Sequence, residues 1–136
     1  MSYEESLKSI TLNADASLAV YTGVPGVPGA PGVNYGNQYR FVKVTGTRQC
    51  GLATAATDNA VGVLQNKPQV TGQAATVGIF GVTNVMASAA IVAGALVTSD
   101  AQGRAVTTST AADVMGVALA DASGANALVP VLLRLS

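Results

Sequence analysis

Residues 40–134 repeat themselves weakly at an offset of 54, and within each copy the apolar runs are short, β-branched and bounded by turn residues, which is the signature of strands. Ala60-Val61-Gly62-Val63 answers Val114-Met115-Gly116-Val117, and Leu52-Ala53-Thr54 answers Val106-Thr107-Thr108. Past the Gly-Val pair the second copy reads two residues shorter, which sets Gly72 against Gly124 and Val77 against Val129. Each copy divides into four strands, at 39–45, 50–54, 60–65 and 75–80 in the first and at 95–99, 104–108, 114–120 and 127–135 in the second. Thr45-Gly46-Thr47 and Asp100-Ala101-Gln102-Gly103 supply hairpin turns. Gly62 and Gly116 inside strands predict bulges or sharp bends, and Pro130 predicts an edge strand or one that begins after it. A further strand is expected at 82–86, with an Ala-rich turn or a short helical turn after it, and no helical period of useful length occurs.

Ahead of the repeat, residues 9–21 alternate: Ile10, Leu12, Ala14, Ala16, Leu18 and Val20 fall on one side, Thr11, Asn13, Asp15 and Ser17 on the other. Ser2 with Glu5 could cap a short helix before this strand, or the terminus frays. From Gly23 to Gly32 glycine recurs at every third place with Pro25, Pro28 and Pro31 before it. Collagen uses that spacing, but three triplets cannot hold a triple helix, so a loop of polyproline and turn character is expected. The chain therefore divides into an N-terminal arm with a Pro/Gly-rich loop, residues 1–37, and a β-domain, residues 38–136. The fold class is all-β: a small antiparallel barrel or sandwich with an extended N-terminal segment, closed because open edges in so apolar a sheet aggregate.

The absence of histidine removes the commonest general base near neutral pH, the usual triads and most zinc sites. Cys50, the single cysteine, has no partner for an intrachain disulfide and reads as a small buried residue. Asp58, Asp100, Asp113 and Asp121 sit in turns, where capping accounts for them. Seven basic and seven acidic residues give a formal net charge of zero, with no basic stripe for phosphates or an anionic bilayer. No enzyme, cofactor, metal, nucleic-acid or membrane function is expected, and the N-terminus lacks the pattern of a secretory signal. With no Trp and only two Phe the core is thin, so contacts with an oligomer or a partner are expected to add stability.

Six segments, read in order, resemble the capsid decoration (cement) proteins of tailed bacteriophages: Gln38 to Lys43, Ala60 to Pro68, Gly72 to Val77, Gly81-Val82-Thr83, Ala93 to Asp100 with Gly103 to Val106, and Val114 to Leu119. The resemblance covers about residues 38–134. It implies a β-rich protein made in the host cytoplasm that sits on the outer face of a phage head and bridges subunits of the major capsid protein. The family's homo-oligomers, trimers at three-fold positions or dimers, are implied with it. The stretch 22–37 is longer than the family's link into the Gln38-Tyr39-Arg40-Phe41 segment. Another virion surface component, a fibre base or an adhesin module, is the alternative.

Two regions are expected to touch the capsid or a neighbouring copy. One is the strand-like arm through Ile10, Leu12, Leu18 and Val20, which could add to a capsid strand or be the first strand of the chain's own barrel. The other is the Pro/Gly loop, with Val24, Pro25, Val27, Pro28, Pro31 and Tyr35, too apolar for an idle loop.

Overall fold

The computed structural model describes residues 7–18 and 37–134. Of the expected contact residues, Val20, Val24, Pro25, Val27, Pro28, Pro31 and Tyr35 lie outside these, as does the capping pattern at Ser2. Ten strands follow one another: β1 (Lys8–Ala14), β2 (Phe41–Gly46), β3 (Gln49–Leu52), β4 (Ala60–Leu64), β5 (Ala74–Phe80), β6 (Val82–Met86), β7 (Leu96–Ser99), β8 (Ala105–Thr107), β9 (Gly116–Ala118) and β10 (Leu128–Leu133). The first five close into a barrel in the order β1-β3-β2-β4-β5; the last five form a sheet in the order β6-β10-β9-β7-β8.

These are two copies of one five-strand module. In the barrel β1 pairs antiparallel with β5 and parallel with β3, where Ala14 faces Cys50. In the sheet β6 pairs antiparallel with β10, and a single parallel bridge from Ala87 to Ala105 joins the two edges at the matching place. The backbone bonds repeat as well. Gln65 N donates to Thr76 O at 2.7 Å and Leu119 N to Pro130 O at 2.8 Å; Tyr39 N donates to Leu64 O and Gly94 N to Ala118 O, both at 2.7 Å.

The ladders correct the alignment of the second half of the repeat. Val63 faces Gly78 and Val117 faces Leu132, so Val77 corresponds to Val131, not to Val129, and the offset of 54 persists. Gly72 N and Asn126 N make the same bond, to Ala14 O and Ala87 O, so Gly72 corresponds to Asn126, not to Gly124. Both have positive φ, 91° and 67°. The same exchange recurs at Tyr39 and Gly94 (φ 66° and 88°) and at Arg48 and Gly103 (φ 50° and 74°).

Gly62 and Gly116 occupy equivalent places for a common reason. A Cβ on Gly62 would lie 2.1 Å from Gly78 O, and one on Gly116 2.4 Å from Val131 Cγ1 and 2.8 Å from Leu132 O. The expected bulge falls beside Gly62, where the β2–β4 register slips between Val42 and Lys43. Pro130 departs from expectation: β10 is a central strand, flanked by β6 and β9. Its carbonyl takes Leu119 N, and its missing N–H faces the same side, just where β9 has ended at Ala118.

Strand β1 is built into the barrel, the second of the two readings given for it. Leu12 and Leu18 are buried among Ala14, Val42, Cys50, Leu64, Ala75 and Val77, which fill the barrel, while Ile10 remains 39% exposed. The strand ends well before residue 21 because the Asp15 carboxylate takes Ser17 N at 2.8 Å and Ser17 Oγ at 2.6 Å, turning the chain.

The modules share one core at their junction. Phe41, Ala53 and Val63, pointing out of the barrel, join the inner-face cluster of the sheet with Val85, Val97, Met115 and Val131. Phe41 N donates to Gly103 O and Met86 N to Tyr39 O, both at 2.8 Å.

Candidate functional site: an apolar outer face

The sheet hides one face and leaves the other bare. Facing inward are Val85, Val97, Ala118, Val129, Val131 and Leu133, all buried. Side chains alternate along a strand, so the outward set has the opposite parity: Val82, Asn84 and Met86 on β6, Leu128, Pro130 and Leu132 on β10, Val117 and then Leu119 from β9, and Leu96 on β7. Registers place these side by side. Val82, Leu132, Val117 and Leu96 form one row across four strands, Asn84 faces Pro130 in the next, and Met86 faces Leu128 in the third.

The row members Val82, Val117 and Leu96 are half-buried, and Leu132, Leu119 and Leu128 are 41%, 47% and 47% exposed. The exposed part of the face carries one polar side chain, Asn84, and no charge; Thr98, of the outward parity on β7, is buried and donates from Oγ1 to Ala56 O at 3.3 Å. From strand spacing and rise the face covers on the order of 400 Å². That matches the largest apolar patches of soluble monomers, which usually have a use.

Equivalent positions on the barrel are chemically different. Ser9, Thr11 and Asn13 stand where β6 has Val82, Asn84 and Met86; Ala74, Thr76 and Gly78 stand where β10 has Leu128, Pro130 and Leu132; Gln65 replaces Leu119. Phe41 and Val63 match Leu96 and Val117, but they are fully buried under the sheet. Where this outer row is apolar in the barrel, at Phe41 and Val63, it is covered; elsewhere on the barrel Val44 and Phe80 are exposed, at 54% and 66%, on strands that β4 separates.

Arginines border the face. At the Met86–Leu128 end, Arg40 places Nη2 3.7 Å from Met86 Sδ and Nη1 3.2 Å from Gln102 O. Burial and the neighbouring Arg104 push the Arg40 pKa down, Asp100 acts against this, and Arg40 Nε has no hydrogen-bond partner among the described residues. Asp100 is already engaged by Arg104 Nε at 3.1 Å. At the other end Arg134, two residues past Leu132 and of the same parity, is exposed.

Elsewhere the polar groups hold turns. Asp58 accepts from Thr54 N at 2.8 Å and from Lys43 Nζ at 3.0 Å, Asp100 from Gln102 N and Arg104 N at 2.8 Å, and Asp121 from Ala93 N at 2.8 Å. Burial, with Asp15 nearby, pushes the Cys50 thiol up to about 11, away from reactivity. A cavity of about 50 Å³ between the turns at 56–60 and 112–115 has room for a water or two, not for a substrate. Among the described residues no three His, Cys, Asp or Glu side chains come together as a metal site, and no helix is long and apolar enough to cross a membrane.

Of the expected contact residues in the described part, only Ile10 is a surface side chain, and it lies on the barrel, not on this face. Sequence reasoning missed the face. Its signal is the run Ala127-Leu128-Val129-Pro130-Val131-Leu132-Leu133, apolar at both parities, as a strand covered on both sides would be.

Comparison with known proteins adds the family. A family model described as phage cement protein matches residues 37–135. A search of curated proteins gives no match. Among solved structures, the head fibre gp8.5 N base of bacteriophage phi29 is similar in fold, with a TM-score of 0.63 and 20% identity over 96% of this chain and 97% of that one.

Proposed function

The chain belongs to the phage cement protein family and is a structural protein of the phage virion, and from that premise we propose that it stabilises the head by binding the outer surface of the capsid and bridging neighbouring major capsid subunits. The observation that carries this reading is the bare apolar face of the second sheet, contiguous across four strands, set against the largely polar side chains at the matched exposed positions of the barrel. A patch of this size falls short of the roughly 800 Å² per partner of a stable free-standing interface. Repetition over a shell makes up the difference, because a copy held at one subunit meets the next at high effective concentration. Contact through the segment that holds Val20, Val24, Pro25, Val27, Pro28, Pro31 and Tyr35, assembly as a trimer or dimer, and synthesis in the host cytoplasm belong to the same proposal.

Heads lacking the protein, mixed with purified chain and sedimented, test it. The unaltered protein is expected to co-sediment and to raise the temperature at which heads rupture. Leu132→Asp is expected to weaken co-sedimentation more than tenfold, since a charge at the centre of an apolar contact is left unpaired. Thr76→Asp, on the barrel's outer face, is expected to bind as the unaltered protein does. Equal binding by all three would remove the face from this role.

The fold likeness to a head fibre base supports a second reading, in which the chain seats a projecting structure on the head. Electron microscopy of decorated heads separates them: flat density astride subunit boundaries supports cementing, and radial projections support a fibre base.

A further inference from the structure

We propose that the surface receiving this face is an apolar strip of another protein, bordered at its two ends by carboxylates about 20 Å apart, the span of six strand residues from Leu128 to Arg134. The inference rests on the docking role proposed above and specifies the partner's chemistry. The face is aliphatic and uncharged, so it matches a protein surface and not a phosphate or glycan. Its rim is basic at both ends: Arg40 against Met86 Sδ, and Arg134 past Leu132.

Neither cation has a salt-bridge partner among the described residues. Of the acidic residues flanking the face in sequence, Asp100 is paired with Arg104, whereas Asp121 is exposed and accepts only from the neutral Ala93 N. Arg104 therefore adds no uncompensated charge, whereas Arg40 and Arg134 each do.

The same rim argues against a second copy as the occupant. Two such faces paired about a two-fold axis set Arg134 of one copy against Arg40 of the other, or against its counterpart Arg134. Each arrangement brings cation to cation at the edge of a dry contact, where like charges cost most. Carboxylates opposite both ends convert that cost into register, fixing which way the sheet lies on the subunit it grips.

Half-saturation of undecorated heads by Arg134→Glu, Arg134→Gln, Arg40→Gln and Leu132→Asp proteins, at low and high salt, tests the proposal, with melting curves confirming that each variant is folded. Arg134→Glu is expected to bind roughly three- to tenfold more weakly at low salt, and to converge with the unaltered protein at high salt. Arg134→Gln and Arg40→Gln are expected to fall between, and together to flatten the salt dependence. Arg134→Glu binding as well as or better than the unaltered protein while Leu132→Asp fails would overturn the acidic strip and leave the docking role standing. Unchanged binding by Leu132→Asp would instead remove the docking role. Dissociation of an oligomer of free protein by Leu132→Asp, seen in sedimentation velocity, would assign the face to a second copy and overturn the proposal.

Discussion

The barrel and the sheet share strand order, ladder register and backbone bonds, yet they differ in closure and in what they show to the outside. The barrel joins β1 to β3 through two residue pairs and has a mostly polar exterior, in which Val44 and Phe80 stand exposed on strands that β4 separates. The sheet meets itself through one bridge, opens its inner face to Phe41 and Val63, and has an aliphatic exterior. A single backbone plan thus serves two purposes, and the side chains at matched positions decide which. The barrel organises the junction; the sheet offers a surface.

The largest expected effect lies at the outer row itself. Phe41→Ala should destabilise the fold by about 3–5 kcal/mol, because it empties the junction, whereas Leu96→Ala at the matched position should cost about 1 kcal/mol or less. Equal losses in denaturant unfolding would mean that the two rows are covered alike. A smaller effect is expected at the hairpin turns, where Arg48 and Gly103 hold the same left-handed backbone. Arg48→Gly should stabilise by about 0.5–1 kcal/mol, read as a raised melting temperature. Gly103→Ala should destabilise, since its Cβ would stand 2.9 Å from Phe41 O. Opposite signs test whether the turns are interchangeable copies.

The smallest effect is acidic. The backbone N–H of Thr54 holds the Asp58 carboxyl below its ordinary value, with Lys43 adding to this against a contribution from burial. A carboxyl lowered in the folded state contributes stability above the ordinary carboxylate range and loses it as pH falls through the folded value. Melting temperatures should therefore hold steady from neutral pH down to that range and decline below it, and Asp58→Asn should make the decline shallower. An unchanged acid limb would detach this turn from barrel stability.

Much of the fold was legible because strand period and turn residues are local signals: the strand at 82–86 and the hairpins around 45–48 and 100–103 fall where the sequence places them. The register of the second half was not, since matching Gly72 to Gly124 by letter overlooks that Asn126 also adopts positive φ. Nor was the fate of β1, because alternation states that Leu12 and Leu18 share a side without stating whether a barrel or a partner covers it. The outer face escaped for a related reason. Apolar residues at both parities of 127–133 are what a doubly buried strand shows, and only the three-dimensional arrangement reveals that one side lacks its cover.

The described ends of the connection between β1 and β2 meet each other, with Asn37 Nδ2 donating to Ser17 O at 2.9 Å and Leu18 buried. Twenty-seven positions separate Ala14 from Phe41, against nine from Ala87 to Leu96 in the sister module, so eighteen are surplus to the strand plan. Doubling the length of such a connection costs only about 0.6 kcal/mol. Surplus length there therefore costs the barrel little, so long as its two ends stay pinned at Ser17 and Asn37.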